Sequence, residues 1–430
     1  MTGRLDDSNT RMPDGAEYEP DVDAKQSLLE SRAVRYTGIA LAGVLLLSIV
    51  QAIAGTTELT SSGTWAAAIR LAVPIMLAGL GGLFSERAGV VNIGLEGMMI
   101  AGTWFGAWAG WDLGPWYGVA FGIIGGAIFG LIHAIATVTF AVDHIVSGVA
   151  INILAAGVVR FLSVVVYDAE SGGGATQSPR IQSQIGTFDV PLLSDAFNWI
   201  EDQAIFFISD LAGLFAGFTT KMSWLTLVAL LVIPATWWLL WRTAWGLRLR
   251  SCGENPYAAE SLGVRVLRMK YYGVVISGAL AGLGGAYLVV VQAGIYREGM
   301  TAGRGFIGLA ALIFGNWFPF GVAAGASVFG YADALSLRQG EAVHALLLVA
   351  AIALAVMAVW SITRGKATGA IVQGVAAVFF LGWYLLTDTV PTQVVAALPY
   401  LVTLLVLSLA TQRLRMPAAD GLRYRKGEAV

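Results

Sequence analysis

Apolar runs long enough to cross a bilayer recur along almost the whole chain, at about 36–54, 65–84, 116–140, 145–167, 223–241, 271–292, 343–360, 370–386 and 395–411, with a shorter one at 97–111. In hydrocarbon no water satisfies backbone N–H and C=O groups, so a run of about 20 apolar residues crosses as a helix. The expected class is therefore an all-α polytopic membrane protein. Composition agrees: 57% of the 430 residues are hydrophobic, 13% are charged and mean hydropathy is +0.72, whereas a soluble domain carries about a quarter charged. The run 305–337 is too long for one crossing and is broken at Asn316-Trp317-Phe318-Pro319, where proline removes a donor and disfavours helix before it.

Lysine and arginine near span ends set orientation. Lys25, Arg32 and Arg35 precede the first run, and Arg242, Arg248, Arg250, Arg265, Arg268 and Lys270 fill the segment between the runs ending near 241 and starting near 271. Both belong in the cytoplasm. Arg364, Lys366 and the basic tail after 411 are also inside only if 305–337 crosses twice. The expectation is about 10–12 membrane segments with both termini cytoplasmic. It divides the chain into a disordered acidic tail (1–35), a transmembrane domain (36–411) and a cytoplasmic tail (412–430). Residues 168–200 form an outer loop, and the apolar stretch 204–218 reads as an interfacial helix.

Between two apolar runs lies GGLFSERAGVVNIGLEGMMIAG (81–102), whose Glu86, Arg87, Asn92 and Glu96 are costly in hydrocarbon. It is either a water-facing turn or the lining of a polar cavity at membrane depth. The pattern returns. LAGLGG occurs at 77–82 and 280–285, Glu96-Gly97-Met98 recurs as Glu298-Gly299-Met300, Pro115 and Gly118 as Pro319 and Gly321, and Phe129-Gly130 as Phe329-Gly330, at offsets of 200 to 204. The expected topology runs the first copy (about 65–167) inward and the second (about 271–337) outward, an inverted repeat of the kind that forms a substrate site where its halves meet. Candidates for a polar path are Asn92, Glu96, Asn152, Glu298 and Arg304, with Phe306 positioned to stack on a solute or simply to pack. Asn152 reads equally as an interhelical hydrogen-bond partner, and Arg304 with Glu298 as an ion pair.

The basic segment 242–270 carries its own short helix. Asn255 caps it, Pro256 takes its first position and Gly263 stops it. It is either a structured linker or a shape for another protein to grip. Cys252 beside it is the sole thiol and a natural target for labelling from the cytoplasm. A net charge of -2 gives no reason to expect nucleic acid, and one cysteine with three histidines leaves metal or haem chemistry poorly supplied.

ERAGVVNIGLEGMMIAG (86–102), GENPYAAESLGV (253–264), ISGALAGLGGAYL (276–288), EGMTAGRGFIGLAALIFGNWFPFG (298–321) and LPYLVTLLVL (398–407) together resemble the permease subunits of bacterial ABC importers for nucleosides, within the wider group of simple-sugar and branched-chain amino-acid permeases. The resemblance implies that Glu254, Asn255, Pro256, Ala258, Ala259, Glu260 and Gly263 form the coupling helix seated in a cytoplasmic ABC ATPase. It also implies a second permease in a heterodimer, an extracellular substrate-binding lipoprotein and a location in the cell membrane. This chain is then a transport subunit and not an enzyme, with no catalytic residue and no cofactor of its own, ATP and magnesium belonging to the partner. It departs from shorter members by its acidic tail and the apolar pair 343–386. No string of the GxxxxGK[ST] type supplies a phosphate loop. The alternatives are a simple-sugar ABC permease or an ion-coupled secondary transporter, which shares the repeat logic and would titrate Glu96 or Glu298. A membrane enzyme has only the scattered His133, His144 and His344 to offer.

Overall fold

The computed structural model describes residues 22–338, 340–391, 393–395, 397 and 414–427. The expected last span (395–411) and most of the acidic tail thus fall largely outside the described residues. The helices, in order, are α1 (Val22–Ala54), α2 (Ser62–Arg87), α3 (Leu95–Asp112), α4 (Pro115–Thr139), α5 (His144–Tyr167), α6 (Leu193–Asp202), α7 (Ile208–Thr219), α8 (Trp224–Arg242), α9 (Ala244–Glu254), α10 (Pro256–Ser261), α11 (Val266–Ala293), α12 (Arg304–Phe314), α13 (Pro319–Ser336), α14 (Gly340–Thr363) and α15 (Ala367–Leu386). Among the described residues seven, α2, α4, α5, α8, α11, α14 and α15, are long and apolar enough to cross a membrane. The break at Asn316–Pro319 does separate two helices, but α12 has 11 residues, about 16 Å, roughly half the hydrocarbon thickness.

Helix starts follow the capping chemistry of the sequence. Ser61 accepts from the Thr64 N–H, Asp143 from Ile145 and Val146, and Thr243 from Gly246, while Pro115, Pro256 and Pro319 open α4, α10 and α13.

At the centre α2 and α11 cross antiparallel through their LAGLGG strings. A Cβ at Gly81 would lie 2.6 Å from the Ser277 carbonyl oxygen, and one at Gly284 3.0 Å from that of Pro74. These are counterparts at one offset. So are the outer contacts: Gly282 packs on Gly122 and Gly126 of α4 and on Gly102 of α3, while Gly79 packs on Val322 of α13 and Gly308 of α12. α4 lies antiparallel to α11 as α13 does to α2, and α3 parallel to α11 as α12 does to α2. The glycines are what let these backbones approach.

Around this core, α5, α8 and α15 expose apolar faces such as Ile153, Phe161, Leu231, Trp238, Val375 and Phe379, the surface a bilayer or a membrane partner covers. α14 pairs with α15 and, with α1 and α13, buries Val50, Leu335, Ala345 and Leu348.

Two expectations need correction. Residues 22–35, assigned to the disordered tail, continue the first helix, since Ala, Lys, Gln, Leu, Glu and Arg there are strong helix formers. The outer loop carries α6 and a short antiparallel pair, Thr187–Phe188 with Met222–Ser223, and it buries Ile181 and Ile185 in the main core. The apolar stretch after it gives the 12-residue α7, too short to cross, packed on α2 and α6.

Candidate functional site

The turn from α2 into α3 is tied down from three directions. Asn92, fully buried, accepts from the Gly94 N–H (3.0 Å) and donates to Ser277 Oγ on α11 (2.8 Å). Asn152 on α5 accepts from the Gly97 N–H (2.7 Å) and donates to the Ile93 carbonyl (3.1 Å). Both asparagines thus satisfy backbone groups around the start of α3 that no helix partner reaches. Glu96 reaches into the other copy: one carboxylate oxygen accepts from the Gly303 N–H (3.0 Å) and the other from Gly305 (2.7 Å). A buried anion at the start of α12 meets unpaired donors and the positive end of the helix dipole. Gly305 leaves room for it, since a Cβ there would come 2.5 Å from the Glu96 Cα.

The second copy places its carboxylate differently. Glu298 forms an ion pair with Arg160 of α5, both side chains nearly half exposed, and Arg160 also donates to the Ala175 carbonyl (3.2 Å). Glu298 borders a cavity of about 220 Å³ between α3, α5 and the turn 296–301, lined also by Ile100, Thr103, Tyr296, Met300 and Thr301. Burial pushes the Tyr296 hydroxyl up to about 12, so it stays a donor. Of the two readings of Arg304 and Glu298, the mutual ion pair does not form. Gly299, Ala302 and Gly303 all have positive φ, and these reversals carry the two side chains apart; Arg304 turns to Asp333 (3.2 Å) and to the carbonyls of Met300 and Thr301. Phe306 is half exposed and outside this cavity's lining.

The basic segments gather at the opposite end. Arg87 donates to the Trp317 carbonyl (2.8 Å) and lies 3.5 Å from Glu254, Lys270 donates to the Gly89 carbonyl (2.9 Å), and Trp317 Nε1 donates to Glu86. α10 is capped as the residues predict: Asn255 accepts from the Ala258 N–H (3.0 Å), Pro256 is its first residue, and Gly263 ends it at φ 81. Pro256 and Ala259 face inward; Ala258 and Leu262 are exposed and Glu260 is half-buried.

Sequence reasoning missed the tail. Residues 414–427 lie against this end, with the Ala419 N–H on the Gly253 carbonyl (2.8 Å) and the Arg415 N–H on Asn316 Oδ1 (2.6 Å). The available signal was the turn-forming Pro417-Ala418-Ala419-Asp420-Gly421 followed by an aromatic in a basic stretch. Cys252 is not an open thiol either. It is fully buried with Ala259, Val266, Met269 and Tyr424, and burial pushes it up to about 11.

The family described as branched-chain amino acid transport system / permease component matches residues 64–359. The guanosine ABC transporter permease protein NupQ of Bacillus subtilis is 38% identical over 273 residues, covering 62% of this chain and 79% of that protein. The nucleoside ABC transporter permease protein NupC of Lactococcus lactis is 32% identical over 367 residues, covering 83% and 94%. A putative glucose ABC transporter permease protein, TsgC13 of Haloferax volcanii, is 31% identical over 289 residues, covering 65% and 78%. No solved structure matches the chain.

Proposed function

Because the chain belongs to the family of permease components of branched-chain amino acid transport systems, we propose that it forms the translocation path of an ABC importer for nucleosides. It is a multi-pass plasma-membrane transport subunit and not an enzyme, and its family works with an ATPase and a substrate-binding protein. The observation that carries the nucleoside reading is the likeness to a nucleoside permease across 94% of that protein's length. The geometry supports it. A nucleoside loses water from hydroxyls and base edges on entering the membrane domain, each worth about 1–3 kcal/mol if left unmet. Glu298, Thr103 and Tyr296 offer replacements around one cavity, while Asn92, Glu96 and Asn152 hold the helices that frame it.

A half-exposed ion pair on the flank of a spanning helix is costly against lipid. We therefore place a second permease over the α5 face, making a heterodimer with the path between its subunits. α10, Pro256–Ser261, serves as the coupling helix for the ATPase, which supplies ATP and magnesium. An extracellular lipoprotein delivers the solute.

The test is uptake of labelled guanosine by cells carrying the chain with its ATPase, second permease and binding protein. Unlabelled nucleosides should compete and glucose should not; equal competition by glucose moves the reading to the simple-sugar branch. Uptake that survives ATP depletion but collapses with the ion gradient would establish a secondary transporter instead.

A further inference from the structure

Residues 414–427 form a strap that touches α2, α9, α10, α11 and the α12–α13 turn at one end of the bundle. The Ala419 N–H donates to the Gly253 carbonyl at the end of α9, and the Ala418 N–H to Glu254 (3.3 Å). The Arg415 N–H reaches Asn316 in the turn between α12 and α13. Asp420 is buried against Glu86 of α2 and Lys270 of α11. Tyr424, also buried, sets its ring 5.3 Å from that of Tyr257 on α10 and closes the apolar cluster of Cys252, Ala259, Val266 and Met269.

We propose that this strap is a positioning element of energy coupling: it fastens α10 to the inner ends of α2 and α11 and to the α12–α13 turn. The proposal rests on the reading of α10 as the coupling helix. α10 has six residues, just over one turn, and buries only Pro256 and Ala259 against the bundle. So short a helix cannot pass a push on its own, because close-packed contacts and not chain connectivity carry displacement. Tyr424 supplies the missing wall beside Tyr257, and the Ala419 and Arg415 hydrogen bonds extend it to α9 and the α12–α13 turn. A push on α10 is thereby delivered to α2 and α12, the latter held at its other end by Glu96.

The test uses the whole transporter, purified with its ATPase, second permease and binding protein and reconstituted in liposomes. Tyr424→Ala removes the wall, Tyr424→Phe keeps it, and Ala419→Pro deletes the backbone donor to Gly253. Retention of the ATPase through purification, basal ATP hydrolysis, solute moved per ATP and maleimide labelling of Cys252 are measured. Tyr424→Ala and Ala419→Pro should keep the ATPase and basal hydrolysis and lose roughly 3- to 30-fold in solute moved per ATP, the range for changes along a coupling network. Tyr424→Phe should match the parent, and Tyr424→Ala should open Cys252 to label. The two variants act at separate contacts, so if one accumulates poorly the other decides. Loss of the ATPase from the complex would make the strap a docking surface and overturn the proposal, and so would an unchanged transport ratio with Cys252 exposed. Gly263→Val separates the two readings. A parental ratio there refutes α10 as coupling helix, whereas uncoupling there with both strap variants intact removes the strap alone.

Discussion

Glu96 is 7% exposed and gives both carboxylate oxygens to N–H groups at the start of α12, whereas Glu298, at the matching place in the second copy, has a 48% exposed side chain and meets Arg160. The difference arises in the glycines that follow. In the first copy α3 begins at Leu95 and carries Glu96 in its first turn. In the second, positive φ at Gly299, Ala302 and Gly303 delays the helix to Arg304, so its open N-terminus arrives where Glu96 can meet it. Two like strings thus yield, at one, a fastening of α3 to α12 and, at the other, a carboxylate on the rim of a cavity. A buried carboxylate with its acceptors filled stabilises; an exposed pair contributes little to stability and stays available to a solute.

The largest expected effect comes from removing the fastening. Glu96→Ala leaves two N–H groups at a buried helix start unmet, a cost of about 3 kcal/mol or more for charge-assisted bonds. The purified permease should melt several degrees lower, and uptake should fall with the amount of folded protein. If Glu96→Ala melts with the parent while uptake vanishes, the carboxylate serves the solute and the contrast with Glu298 breaks down.

Glu298→Gln should do the reverse. Stability should stay within about 1 kcal/mol, as for other exposed ion pairs, while the KM for guanosine uptake rises several-fold. The exchange Arg160→Glu with Glu298→Arg should keep folding intact without recovering the parental KM, because a solute reads the position of each charge. A lower melting temperature for Glu298→Gln than for Glu96→Ala would invert the assignment.

Much of this arrangement could be read from local residues. Run lengths gave the helical class, Asn255, Pro256 and Gly263 gave α10, and the repeated LAGLGG marked the pair of helices that cross at the centre. What escaped depends on which distant groups meet. Arg160 lies inside the run 145–167, and nothing local joins it to Glu298, 138 residues away. Arg304 lay closer to Glu298 in sequence, but three positive-φ residues between them turn the chain away. The tail looked like positive-inside charge, and its docking depends on two residues, Asp420 and Tyr424, whose burial no periodicity announces. Cys252 misled for the same reason, because a basic neighbourhood in sequence says nothing of the tyrosine that covers it in space.

Asp420 sharpens the comparison as a third carboxylate, buried like Glu96 but set beside another carboxylate rather than across the open start of a helix. Glu86 and Lys270 face it from α2 and α11, with Arg87 and Glu254 at the same end of the bundle. Burial first, and the Glu86 carboxylate second, push Asp420 well above the ordinary carboxylate range, against the pull of Lys270 and the Gly421 N–H. A strap released into water returns to the ordinary value, so docking favours the proton. The contribution of Asp420 to docking is then complete below the free carboxyl range and is lost as pH rises through its raised docked value. Across that window the released fraction should grow by up to about tenfold per pH unit. Labelling of Cys252, which Tyr424 covers, reports release, and Asp420→Asn supplies the reference at each pH because it carries the same thiol without the titrating group. The ratio of parent to Asp420→Asn labelling should climb as pH rises above the free carboxyl range, with only a slight effect on folding of the transporter because the opening is local. Superimposed profiles would mean that Asp420 docks as an anion held by Lys270, and that burial beside Glu86 does not set its charge state.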